Sequence, residues 1–184
     1  MKKNLIHALE WHLTETIAYE DAGQKEEVEI RKYPAIHLAT VQGLAEDEAF
    51  GILFQYISGN NKPGRAIPMT APVITPEKIA MTAPVISNAD AMSFVLPAEY
   101  RRDEVPEPLD PKISIQEIPP RVLAVIRFRG RASDDEVAEV HRRLLKVLES
   151  ENIPMVGKPF LMRYNSPFTP DFLRRNEVGI EIRQ

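Results

Sequence analysis

Four histidines, His7, His12, His37 and His141, are the only imidazoles in the chain. No two of them stand at zinc-site spacing with a third ligand near. His37 follows Ile36 in a predicted strand and faces away from Leu38, which suits either a metal ligand or a half-exposed strand residue. His141 lies four residues after Val137, on the margin of an apolar helical stripe, and reads as structural. His7 and His12 fall in a leader expected to be mobile. Met69 and Met81 occupy equal places in a tandem motif, Ile67-Pro-Met-Thr-Ala-Pro-Val73 and Ile79-Ala-Met-Thr-Ala-Pro-Val85. Beside prolines, methionine most simply fills gaps in a core. Thr70 and Thr82 have no base placed near them, so they are expected to bond backbone groups rather than to act as nucleophiles. Glu26, Glu27 and Glu29 read as a hairpin surface. The chain holds no cysteine, which excludes disulfides, thiolate metal sites and thiol catalysis. No Gly-rich phosphate loop, His-Glu metal pair or nucleophile elbow is present. Little here supports catalysis.

At 184 residues the chain fits one domain, and its 43% hydrophobic and 27% charged content is ordinary for a globular fold. The net charge of −4 comes from acids and bases interleaved along the chain, without the basic face of a phosphate-backbone binder, so nucleic acid is not an expected partner. Residues 1–13 read as an N-terminal leader. Their apolar run is broken by His7, Glu10 and His12, as a signal peptide's would not be. No stretch approaches the length of a membrane span. The composition reads as cytoplasmic, with no membrane partner.

An internal repeat organises the rest. The segment from Val28 to Val41 lies over the one from Ile113 to Ile126 without a gap: Val28, Ile30, Tyr33, Pro34, Leu38, Ala39 and Val41 match Ile113, Ile115, Ile118, Pro119, Leu123, Ala124 and Ile126. Each copy reads as a short alternating strand, a proline break and a more apolar strand. A helix follows each. The first, over 46–58, opens with three carboxylates at the positive end of its dipole and sets Phe50, Leu53, Phe54 and Ile57 at core spacing. The second has Ser133 and Glu136 as a capping box and Val137, Val140, Leu144 and Leu148 as its buried stripe. Further strands are expected over 67–74, 79–86, 92–96, 160–165 and 178–182, and an edge strand over 14–20. Pro72 and Pro84 cannot donate to a ladder, so the tandem hairpin belongs at a sheet edge or at bulges.

The expected fold is therefore α+β: duplicated ββαββ units related by a pseudo-two-fold, with a mostly antiparallel sheet or distorted open barrel flanked by two helices. One domain is expected over 14–184, with a first repeat over about 14–97, a linker over 98–111 and a second repeat over 112–184. A cleft between the halves is the default place for a ligand.

The tandem Met-Thr-Ala-Pro-Val motif, the opening Glu29-Ile-Arg-Lys-Tyr-Pro34 and the closing Arg174-Arg-Asn-Glu-Val178, in this order, resemble the SOUL family of haem-binding proteins over roughly 15–182. The resemblance implies a gyrase-inhibitor-like effector-binding fold. It also implies haem or another tetrapyrrole as ligand, lying near the first helix and the loop before the last strand. A histidine proposed as iron ligand in some members corresponds here to Lys32. Near the places where basic groups are proposed to meet the propionates, this chain has Gly51, Gln55 and Thr169.

Set beside that resemblance, the first helix carries a second apolar stripe, Ala49, Ile52 and Tyr56, wider than one core needs. Its occupant would be a planar apolar ligand, a second subunit or the leader. The leading reading is a non-covalent haem or tetrapyrrole carrier. Phe50, Phe54 and Tyr56 of the helix, with Tyr164, Phe168 and Phe172 of the following loop region, form its apolar site. His37 is an optional haem iron ligand, alongside the less favoured thioethers of Met69 and Met81. Arg174 would meet a propionate, and Arg175 either a propionate or Glu177. Two rivals stay open: an effector-binding or protein-interaction module, homodimeric through the first helix, and an enzyme that releases iron from haem.

Overall fold

The computed structural model describes residues 16–62, 77–165 and 168–183. The leader, with His7 and His12, and the first tandem motif, with Met69 and Thr70, lie outside the described residues, as does the whole of the strand expected over 67–74.

The chain opens with a hairpin, β1 (Glu20–Lys25) and β2 (Val28–Tyr33), then β3 (Ile36–Gln42) and α1 (Glu46–Ile57). A two-residue strand β4 (Asn61–Lys62) precedes β5 (Val85–Ser87) and β6 (Ala91–Val95). The second unit runs β7 (Glu107–Pro108), β8 (Ser114–Ile118), β9 (Arg121–Arg129), α2 (Asp134–Ser150), β10 (Met155–Arg163), a short 3-10 turn (Asp171–Leu173) and β11 (Arg175–Ile182). Among the described residues β4 pairs only with β7. The other nine strands form one antiparallel sheet, curled into a half-barrel, in the order β1-β2-β9-β11-β10-β5-β6-β3-β8.

Without β1 that order is palindromic. β2 and β8, β9 and β3, β11 and β6, and β10 and β5 hold equivalent places about the β10–β5 seam. The first strand of each ββαββ unit pairs not with its own second strand but with that of the other unit: β2 with β9, and β8 with β3. The proline breaks, Pro34 and Pro119, turn the chain between those strands. Neither unit can complete its sheet alone.

Strand alternation sorts the core. From β9 and β11, Ala124, Ile126, Val178 and Ile180 face α2, which buries Val140, Leu144, Val147 and Leu148 against them. Leu123 and Val125 point to the opposite, inner face with Tyr33, Phe160, Met162 and Tyr164. The capping box is present, with Ser133 accepting from the Glu136 amide and the Glu136 carboxylate accepting from the Ser133 amide. α1 packs on β3 and β6 through Ala49, Leu53, Tyr56 and Ile57.

Several expectations change. The stripe of Ala49, Ile52 and Tyr56 is not a spare surface: Ala49 and Tyr56 are buried in the α1 core, and only Ile52 stays partly exposed. The cause is the segment before β7, which lies over the helix. Val105 is buried there, and the Tyr56 hydroxyl donates to the Pro106 carbonyl at 2.7 Å. Phe54, expected in the core, is instead 48% exposed. The strand expected over 79–86 is confined to Val85–Ser87, because Pro84 interrupts any ladder. In place of an edge strand over 14–20, Thr16 makes an isolated parallel bridge to Ala83, and β1 begins at Glu20. Thr82 donates to the Val95 carbonyl, as a threonine beside these prolines should. Among the described residues no helix is long and apolar enough to cross a membrane.

Candidate functional site

Two adjoining cavities, of about 560 and about 270 Å³, share Glu46, Met92 and Arg163 and form one groove at the seam between the two units. The larger lies between the helices. Leu44 and Ala49 line it from one side, Ala132, Val137 and His141 from the other, with Phe160 and Leu161 as its floor. The smaller continues along the N-terminal half of α1 past Phe50, Val85 and Met92. Phe50 stacks on Phe54 with ring centres 6.1 Å apart and meets Phe94 edge-on at 5.3 Å. An aromatic wall thus runs from the core to the exposed face of the helix.

The polar side of the smaller cavity is made by the ends of β10 and β11. Arg163 and Asn165 come from one, Arg174 and Asn176 from the entry to the other, and Arg131 from the turn after β9. Arg163 and Asn176 are register partners across the ladder. Every guanidinium is already engaged. Arg163 bonds the Glu46 carboxylate and the Ser87 hydroxyl, the latter at 3.0 Å. Arg131 and Arg174 share Asp171, at 3.4 and 3.1 Å, and Arg174 Nε donates to the Thr169 carbonyl at 2.7 Å. The turn carrying Asp171 also exposes Phe168, Phe172 and Leu173 (73%, 71% and 55%). Large apolar side chains this open, tied to groove cations, are uncommon on a protein surface.

Behind the groove, the alternate residues of the same two strand ends build a buried charge network. Arg31 and Glu177 are almost wholly enclosed. Glu177 accepts from Arg31 Nη1 and Nη2 (2.7 and 3.1 Å), Arg175 Nε and Nη2 (3.0 and 2.7 Å), Arg127 Nε (3.2 Å) and the Tyr164 hydroxyl (2.8 Å). Arg31 also bonds Glu29 at 2.7 Å and the Tyr33 hydroxyl at 3.1 Å, and the Tyr19 ring covers it. Burial alone would raise the Glu177 carboxyl, but hydrogen bonds and charge from Arg31 and Arg175 outweigh it and hold the group below the usual range. Burial opposes the charge on Arg31 too, yet Glu177 holds its guanidinium protonated well above the ordinary value. Burial, then the Glu177 charge, pushes the Tyr164 phenol far up. With every acceptor filled, the network is a clasp that fixes the strand ends, and it offers no free acid or base.

Of the residues singled out by sequence, the groove brings together Phe50 and Arg174, with Phe54 stacked beside Phe50 and Phe168 and Phe172 on the adjoining turn. Tyr56 lies in the α1 core. Tyr164 belongs to the clasp, and so does Arg175, bonded to Glu177. His37 is elsewhere, in a separate cavity of about 280 Å³ with Ile17, Leu96 and Tyr100. Its Nε2 is enclosed and has no hydrogen-bond partner. Sequence reasoning missed Arg131 and Arg163. The signal was there for Arg163, since period-2 alternation about Tyr164 puts 163 and 165 on the face opposite the clasp. His141, read as structural, lines the larger cavity. Burial lowers its pKa, and its Nε2 too is enclosed and unpartnered.

The donor set suits a flat apolar molecule with acidic groups: an aromatic and aliphatic lining, three guanidiniums, and a larger cavity within the range of small-molecule sites. Among the described residues no cluster of three or more His, Cys, Asp or Glu could hold a metal ion. Among the described residues His141 is the one imidazole that lines the groove, and its Nε2 is enclosed.

The family described as SOUL heme-binding protein matches residues 14–181. No curated protein sequence matches. Among solved structures, the crystal structure of the EcmrR C-terminal domain aligns over 91% of this chain and 99% of its own, with a TM-score of 0.58 at 10% identity. A cryo-EM structure of an EcmrR–DNA complex, EcmrR-RPo, aligns over 85% of this chain and 57% of its own, with a TM-score of 0.56 at 10% identity. At that identity the likeness is one of fold.

Proposed function

The chain belongs to the SOUL heme-binding protein family, and on that premise we propose that it binds haem or a related tetrapyrrole without a covalent bond, as a carrier in the cytoplasm. The ligand lies in the seam groove, its ring against Phe50 and Phe54 and its carboxylates toward Arg131, Arg163 and Arg174. The observation that carries this reading is the meeting of an aromatic wall and three guanidiniums in one cleft beside α1 and the loop before the last strand. Burial of ring surface supplies about 25 cal/mol per Å² of apolar area removed from water, against the cost of lost translation and rotation. The bound group supplies whatever iron chemistry follows; the chain's own residues bind, orient and shield it.

Haemin titrated into the protein should give a saturable Soret shift. Phe54→Ala and Arg163→Ala should each weaken it, while His37→Ala should leave the bound spectrum unchanged, because that imidazole lies outside the groove. No saturable shift in the unaltered protein would refute the proposal. The rival reading as an interaction module, dimeric through α1, now has Phe54 and the partly exposed Phe50 and Ile52 to offer a partner, because Ala49 and Tyr56 are committed to the core. A concentration-dependent dimer abolished by Phe54→Ala would favour it. Free iron or porphyrin released beyond one equivalent would favour the enzymatic alternative.

A further inference from the structure

The groove's cations are not waiting in solvent. Asp171 reaches both Arg131 and Arg174, and Glu46 holds Arg163. These acids stand where an acidic ligand's own groups would bind. Their side chains are about half exposed, 46% for Asp171 and 56% for Glu46. Exposed ion pairs of this kind are weak, so exchanging one carboxylate for another costs little. Exchange with a neutral polar group is different for the less exposed cations, because Arg174 (22% exposed) and Arg163 (29%) would each lose a charged partner and gain no anion.

We propose that Asp171 and Glu46 act as internal stand-ins for ligand carboxylates, so that the groove selects flat apolar molecules bearing two acid groups and discriminates against their neutral esters. This rests on the tetrapyrrole reading and adds to it the residues that set selectivity. Two acids at separate positions along the groove call for two acid groups on the ligand. The turn that carries Asp171 also carries the exposed Phe168 and Phe172.

The test compares protoporphyrin IX with its dimethyl ester, by fluorescence titration against the full chain. Unaltered protein should bind the diacid more tightly. Asp171→Asn removes the internal competitor and should tighten diacid binding about three- to tenfold, the scale of one or two surface ion pairs, with the ester unchanged. Asp171→Glu keeps the competitor and should behave as unaltered protein. Glu46→Gln gives the same readout at the second position, with circular dichroism to check that α1 stays intact. Equal shifts for diacid and ester, or no shift in either variant, would overturn the selectivity mechanism while leaving the tetrapyrrole site standing. Failure of the unaltered protein to bind either porphyrin would overturn both.

Discussion

Replacing Glu177 by Gln should unfold this protein's most expensive interior point while changing its shape hardly at all. Glu177 has no exposed surface, and its two oxygens receive six donor contacts of 2.7 to 3.2 Å. A glutamine keeps one accepting oxygen. In its less costly orientation the amide nitrogen replaces Oε2, so Arg31 Nη1 and the Tyr164 hydroxyl lose their acceptor, and Arg31 keeps only Glu29 as a charged partner. Breaking a buried pair from one side costs about 3–5 kcal/mol. Against a total stability of about 5–15 kcal/mol, that is a large share. For a chain of this size it lowers Tm by about 6–20 °C. Urea unfolding followed by circular dichroism should show the midpoint falling with the m-value unchanged. The pH dependence supplies an independent check. The folded carboxyl ionises below its usual 4.5, so its contribution is complete above about pH 4.5 and is lost as pH falls through the lower folded value. Below pH 4.5 the unaltered protein should therefore lose stability faster than Glu177→Gln. A loss under about 1 kcal/mol for Glu177→Gln would refute the clasp.

Three further outcomes follow from the same geometry. Phe54→Ala should weaken porphyrin binding while changing stability by less than about 0.5 kcal/mol, since the ring is half exposed; a Tm drop comparable to a core variant would show that it is structural. His141→Leu should raise stability by about 1 kcal/mol in urea unfolding, because it removes an enclosed nitrogen that has no partner; destabilisation would mean the imidazole makes a needed contact. Burial raises Tyr33, Tyr56, Tyr100 and Tyr164 above the usual 10, so the folded state favours their neutral phenols. That contribution is full below pH 10 and is lost as pH rises. Absorbance at about 295 nm should show most phenols resisting ionisation until the alkaline unfolding transition at about pH 11 or above.

Local pattern made much of this fold legible. The capping box at Ser133 placed α2, and the aligned strand pairs announced two equivalent units. Pairing was harder to read. Period-2 alternation says which face a side chain takes but not which strand lies beside it, so the exchange of β2 and β8 between units was hidden. The phase of α1 was misjudged for a physical reason: a helix apolar on nearly all sides does not declare its buried face. A segment about fifty residues on, with Val105 and Pro106, decided it by covering Tyr56. The groove was legible in part. Phe50 and Arg174 could be named, whereas Arg131 became a candidate only once the turn after β9 met Asp171.

The motifs that mark the family do two jobs, separated by a single residue of register. In Glu29-Ile-Arg-Lys-Tyr, the residues Glu29, Arg31 and Tyr33 enter the clasp, while Ile30 packs under α2. In Arg174-Arg-Asn-Glu-Val, Arg175 and Glu177 enter it from the other unit, while Arg174 and Asn176 face the groove. The opening and closing motifs are therefore two halves of one buried ion network, 146 residues apart in the chain and joined where β2 and β11 flank β9. Two of the three motifs that carry the resemblance thus meet in one buried network. The proposed ligand site lies at 163, 165, 174 and 176 and on α1, where changing a side chain leaves the clasp intact. A chain could keep every clasp residue without the proposed tetrapyrrole site, which is why the groove's own side chains, and not the motifs, carry the functional argument.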